Sequence, residues 1–368
     1  MQGVPRYNRK NNQEFARTLR SRVNQYFEDN NFDRSGGNRI IGKTLVMFVL
    51  YFLPFVLLMA VELTAWQYII CSIIMGVGVA GIGLGIMHEA VHGSFSNKKW
   101  VNTVFGYSLN LIGGNMLSWR IQHNILHHSF TNVRGLDEDL EAGNIMRFTP
   151  HEPWKPRHRF QYIYAWALYS LMTFSWVLVK DFKRIAKYHK LGLLEGQNVK
   201  FSNAMLTIAV SKIVYISYMI ILPIFVGGYS PVVVLAGFVL MHLIGGLMLA
   251  MIFQPAHIME DHDFVPDGVS ELEMCYEAHQ LSTTSNFAPT NKLLTWFCGG
   301  LNYQVEHHIF PSISHVHYPE ISKIVEKTAT EYGVPYRSVP SFREALKIHQ
   351  RTMKKLSIPD YTGSLKAA

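Results

Sequence analysis

Four long apolar blocks, at roughly 44–61, 67–87, 206–226 and 232–253, constrain this chain more than any other feature. Each is close to the ~20 residues an α-helix needs to cross the hydrocarbon core of a bilayer. A backbone in lipid must also satisfy its own hydrogen bonds, which a helix does. The expected fold is therefore all-α and integral to a membrane, with four transmembrane helices in two hairpins. The charged fraction agrees, at 16% against about 25% in soluble domains. The turns inside the hairpins, 62–66 and 227–231, carry no Lys or Arg, whereas the N-terminal arm, the 88–205 segment and the C-terminal tail carry nearly all of them. The positive-inside rule places those three regions, and both termini, in the cytosol. It also assigns the net charge of +8 to topology and contact with a lipid bilayer, with no nucleic-acid partner expected.

The chain then divides into a cytosolic N-terminal arm, 1–43, and a membrane domain, 44–368, whose cytosolic cap comprises 88–205 and 254–368. The arm holds nine Lys/Arg against four Asp/Glu, and its Phe15, Leu19, Val23 and Phe27 fall four apart, flanked by Arg17, Arg20 and Arg22. That pattern is an amphipathic helix lying on the membrane surface or packed on the cytosolic body. Two further apolar blocks are not read as spans, because a single extra crossing would separate the polar clusters described next. Residues 104–118 are expected as a re-entrant or buried helix, and 162–179 as an interfacial one. Cys71, Cys275 and Cys298 show no paired spacing, so neither a disulfide framework nor a cysteine metal site is expected.

Seventeen histidines are present, and most are clustered. His88 and His92 form HEAVH after the second block. His123, His127 and His128 form HNILHH. Gln304, His307 and His308 form QVEHH, and His257 directly follows the fourth block. Residues three or four apart share a helix face, so each cluster can aim imidazoles at one point. Clusters and outlier supply eight histidines, too many for one four-coordinate ion and suited to two ions with open positions. Imidazole suits zinc, copper, nickel and iron alike, so the ligands alone do not name the metal.

The remaining histidines have plainer readings. His151, His158, His189, His262 and His349 are taken as core or surface residues, and His242, inside the fourth block, as a hydrogen-bond donor between helices or a functional group. His279, His315 and His317 are candidates for supporting the ligands. HEAVH also matches the zinc-protease pattern, with Glu89 as general base; that reading leaves HNILHH and QVEHH unexplained. A transporter is disfavoured because the clusters lie outside the spans.

HEAVHGSF, HNILHHSFTN followed by Asp137-Glu138-Asp139, and Leu301-Asn302-Tyr303 leading into QVEHHIFPSISHVHYP resemble the three histidine boxes of membrane fatty acid desaturases. The similarity extends from about residue 40 to about 335. The glutamine opening the third box, and the segment HQLSTTSNFA at 279–288, resemble the front-end group that includes linoleoyl-CoA desaturases. The resemblance implies a four-span fold whose cytosolic cap holds two non-haem irons, with O2 as co-substrate. On that basis His88, His92, His123, His127, His128, His307 and His308 match the box ligands, and His257 matches a further ligand after the last span. Gln304 stands at a ligand position occupied by histidine in other groups, and binds directly or through a water. Carboxylates next to or soon after the ligands, Glu89, Asp137, Asp139 and Glu306, are expected to fix the imidazole tautomers.

The implied activity is the insertion of a cis double bond into a fatty acyl chain carried on CoA or on a lipid. A hydroxylase or ketolase on the same scaffold is the alternative. No His-Pro-Gly-Gly haem motif is present, so electrons are expected from a separate ferredoxin, or from cytochrome b5 with its reductase. A bacterial inner membrane is the expected location, with the endoplasmic reticulum as the alternative. Lys and Arg at 147–190 serve topology or hold an anionic head group. Gly113, Gly114, Gly245 and Gly246 are read as helix-packing points or walls of an acyl tunnel.

Overall fold

The computed structural model describes residues 4–362 apart from 142 and 144. Four of its helices are long and apolar enough to cross a bilayer: Gly37–Ala60, Ala65–His92, Phe201–Phe225 and Pro231–His257, with mean hydropathy between 2.0 and 2.5. Local signals start two of them. Thr64 and Gln67 form a capping box ahead of the second, satisfying amide groups that have no partner within the helix. Pro231 opens the fourth, in the first turn, where a missing N–H costs nothing.

The second span is the hub. It packs against the first and the fourth, and 72% of its apolar window is buried, against 33% and 28% for the first and third. Small residues allow the approach. A Cβ on Gly76 would lie 2.8 Å from the Met241 carbonyl oxygen, and one on Gly245 would lie 2.8 Å from Val79 Cγ1. Gly113, at φ +93, sits against Val177 and Tyr215, and Gly246 against the Ser170 carbonyl. These glycines are therefore points of close packing.

Two spans run further than hydropathy alone indicates. The second continues through a π-turn, Gly83–Met87, into His88–His92 and stops at Gly93, at φ 78. The fourth runs on to His257. The first histidine box and His257 are thus the last turns of spanning helices, because polar ligands do not interrupt backbone hydrogen bonding. The 104–118 stretch is not one helix: Lys99–Gly106, Ser108–Leu111 and Met116–Arg120 are separate, and the left-handed Gly113 lies between the last two. The 162–179 block forms Gln161–Ser170, Met172–Ser175 and a π-turn leading into Asp181–Lys190, with a 59° bend after Ser170. Gln161–Ser170 packs on the fourth span and on the C-terminal helix Phe342–Leu356.

The N-terminal helix Gln13–Asn30 buries Phe15, Leu19, Val23 and Phe27 in one cluster with Ile321, Val325 and Ala329 of helix Tyr318–Glu331. Of the two expectations for this stripe, packing on the body is the observed one. Arg22 reinforces it with an ion pair to Glu331 at 2.7 Å.

Candidate metal centre

Four pieces of chain bring the histidines together. His88 and His92 come from the end of the second span, His257 from the end of the fourth, and His307 and His308 from the short helix Gln304–Ile309. His123 and His127 lie on a π-helical stretch, Ile121–His127, whose next residue is His128. The π geometry decides where His128 points. In an α-helix, residues five apart sit roughly 140° around the axis from each other. Here the His128 amide bonds to the His123 carbonyl at 3.0 Å, and that i→i+5 bond returns both rings to one side.

Nitrogens of His88, His92, His123 and His307 lie within 4.8 Å of one another, as do those of His127, His257 and His308. The Nε2 atoms of His88 and His128 stand 3.0 and 3.2 Å from His123 Nε2. His128 also stacks on His308, with ring centroids 4.3 Å apart, so it lies between the two groups. His123, His127 and Asp139 form a third grouping with atoms equally close. It is no ligand set, because Asp139 takes the outer nitrogen of its imidazole in a hydrogen bond.

The donor set fits metal ions. His92 Nε2, His127 Nε2, His128 Nδ1, His257 Nδ1, His307 Nε2 and His308 Nε2 are all buried with no partner among the described residues. Six orphaned imidazole nitrogens in one place would be costly unless something accepts their lone pairs. Burial first, then the neighbouring imidazoles, push His123, His128, His307 and His308 below the ordinary histidine range. These rings are therefore neutral, as ligands must be. For His127, burial opposes the charge, but the Asp137 carboxylate holds the ring above its ordinary range.

The carboxylates divide into two pairs. Asp139 Oδ2 accepts from His123 Nδ1 and Asp137 Oδ1 from His127 Nδ1, both at 2.8 Å. Asp137 is held in turn by the Asn132 backbone N–H at 2.9 Å, and Gln122 donates to Asp139. Glu89 instead accepts from Ser314 Oγ at 2.7 Å and from His315 Nδ1 at 2.8 Å. Glu306 accepts from Asn286 Nδ2 at 2.7 Å and Tyr336 Oη at 3.0 Å. Neither has a hydrogen bond to a ligand imidazole among those described. Glu89 Oε1 is instead taken up by Ser314 and His315, away from the role of a free general base beside His88 and His92.

Gln304 places its amide nitrogen 2.8 Å from His257 Nε2. Sequence reasoning missed Gln280, whose Oε1 accepts from His308 Nδ1 at 2.9 Å and from Thr131 Oγ1 at 2.9 Å. The signal was its place in HQLSTTSNFA. It also missed Trp119, stacked 4.3 Å from His123, and Phe253, with its ring 4.6 Å from His257. His279 donates to the Thr131 carbonyl at 2.8 Å, and His317 to that of Asp33 at 2.9 Å. His242 lies 2.8 Å from Tyr215 Oη and 3.1 Å from Thr173 Oγ1, a link between helices. His262 and His349 donate to the carbonyls of His257 and Ile258, at 2.8 and 3.1 Å.

Residues 63–340 match the family model described as fatty acid desaturase. The chain is 30% identical over 355 residues to sn-1 linoleoyl-lipid 6-desaturase of Arthrospira platensis, covering 95% of each. It is 33% identical over 360 residues to acyl-lipid (8-3)-desaturase of Physcomitrium patens, covering 95% of this chain and 73% of that one. It is 28% identical over 361 residues to Delta(5) fatty acid desaturase A of Dictyostelium discoideum, covering 95% and 76%.

Proposed function

The chain belongs to the fatty acid desaturase family, and on that premise we propose that it inserts a cis double bond into a lipid-borne acyl chain, on the carboxyl side of a double bond already present. The enzyme is an oxidoreductase of lipid metabolism acting on fatty acyl chains. The lipid carrier and the front-end position rest on the relatives, two of which are named for acyl-lipid substrates. The observation that carries the chemistry is the pair of adjoining imidazole groups with six orphaned nitrogens.

We assign His88, His92, His123 and His307 to one iron, and His127, His257 and His308 to a second, with His128 between them. When bound, the two irons supply the O2-dependent removal of hydrogen from an unactivated alkyl chain, which acid–base side chains cannot perform. The protein's part is to hold and shield. Asp137, Asp139 and Gln280 fix the outer nitrogens of His127, His123 and His308 and so aim the inner ones. Gln304 orients His257 through its amide. Trp119 and Phe253 cover the imidazoles with apolar surface, excluding water from the place where an acyl chain must lie.

The four apolar helices make this a membrane protein. The charge asymmetry supports a cytosolic cap holding the histidines, with both termini on that side. Electrons then come from a separate cytosol-facing donor, a ferredoxin or a cytochrome b5 with its reductase, and a bacterial inner membrane is the proposed location.

The test is expression in a host supplied with linoleate but lacking front-end products, followed by mass spectrometry of the acyl chains with double-bond localisation. Wild type should add one double bond on the carboxyl side of the existing pair, and His308→Ala should add none. Hydroxylated or ketonic chains from wild type would contradict the proposal.

A further inference from the structure

A groove of about 680 Å³ lies between the C-terminal helix Phe342–Leu356, the fourth span and helix Gln161–Ser170. Its floor is apolar: Leu247 and Met251 from the fourth span, Trp166 from helix Gln161–Ser170, and Leu346. Its rim is cationic. Arg343, Lys347 and Arg351 recur every four residues, so they form one exposed stripe along helix Phe342–Leu356. One carboxylate answers that stripe among the described ion pairs, Glu344, at 3.7 Å from Arg351 and 4.0 Å from Lys347. The polar groups of the floor are already used: Trp166 Nε1 donates to Gln350 Oε1 and Gln350 Nε2 to the Tyr162 carbonyl, both at 2.7 Å.

Depth fixes the setting. Leu247 and Met251 precede the ligand His257 by ten and six residues on one helix, so the groove meets the span about 9–15 Å along its axis from that ligand. An apolar trough on a spanning helix, with three poorly answered cations along its rim, fits a molecule that is oily at one end and anionic at the other.

We propose that this groove is a binding site for an anionic phospholipid. One acyl chain lies against Leu247, Met251 and Trp166, and the phosphate meets Arg343, Lys347 and Arg351. The lipid steadies the C-terminal helix, whose His349 holds the Ile258 carbonyl next to His257. The proposal rests on the reading that Pro231–His257 crosses a bilayer, and it is independent of the chemistry at the histidines.

The test is native mass spectrometry of the full chain in detergent, titrated with phosphatidylglycerol and, separately, phosphatidylcholine. Wild type should retain phosphatidylglycerol at least about tenfold more tightly, and the Arg343→Gln, Lys347→Gln, Arg351→Gln triple variant should lose roughly a hundredfold in that affinity, at about fivefold per cation. Leu247→Trp, which fills the trough and keeps the rim, should lose both lipids. Lys354→Gln with Lys355→Gln, on the same helix outside the groove, should bind as wild type. Equal binding of the two lipids by wild type, retention of phosphatidylglycerol by the triple variant, or an equal loss in the lysine control would each overturn the site.

Discussion

At the residue scale, Glu89 lies inside a histidine box and Asp137 soon after one, and they differ in what they touch. Asp137 holds His127 at 2.8 Å, whereas Glu89 is taken up by Ser314 and His315. Asp137→Asn should therefore weaken iron retention about 10–100-fold, read by competition with a chelator, while Glu89→Gln keeps wild-type affinity. The difference was not legible from proximity, because neighbours on a helix point about 100° apart. A carboxylate next to a ligand is for that reason badly placed to serve it, and Asp137, ten residues on, returns to His127 through a turn. Glu306 shows the same divergence and carries a second consequence. Burial raises its carboxyl to about 7 from an ordinary 4.5. Between those values the unfolded chain sheds its proton and the folded one does not, so stability falls as pH rises from about 4.5 to 7. Glu306→Gln should remove that slope and stabilise the protein above pH 7 by the order of 1–3 kcal/mol, measured as melting temperature against pH at fixed metal content. An unchanged slope would place the titration elsewhere.

At the scale of elements, the four spans and the three boxes were legible because hydropathy and i,i+4 spacing are local properties of the chain. The π-turns at the first two boxes were not. Ile121–His127 brings His128 to the side of His123 by an i→i+5 bond that no residue spacing announces. Gly83–Met87 sits just ahead of His88, inside an apolar run. The N-terminal stripe was legible as a helix face, but its partner is three hundred residues away, so the choice between lipid and protein waited on the fold. Packing of the second span on the fourth supplies the frame for both ligand-bearing ends, and it depends on backbone approach at Gly76 and Gly245. Gly245→Leu would drive a side chain into Val79. It should destabilise the protein by about 1–3 kcal/mol or more, seen as a lower melting temperature in detergent, with loss of iron following the loss of fold. A wild-type melting temperature would show that the two spans are not in close contact there.

At the scale of the whole molecule, the centre exists only when distant segments assemble. His307 is more than two hundred residues from His88, yet both belong to one group of convergent nitrogens. Gln280 reaches His308 while its amide donates to the His128 carbonyl at 3.2 Å, joining the second and third boxes outside the ligands themselves. The clusters were readable in the chain, and their division into two sites was not, because that division depends on which rings meet after folding. The claim that these rings hold two irons is the one on which the proposed chemistry turns. It is tested most directly by iron and zinc content per chain, measured on protein purified from iron-supplemented cells, for wild type and for His127→Ala combined with His308→Ala. The account predicts close to two irons per wild-type chain and a sharp fall in the double variant. One tightly held zinc with no iron, unchanged in the double variant, would contradict it.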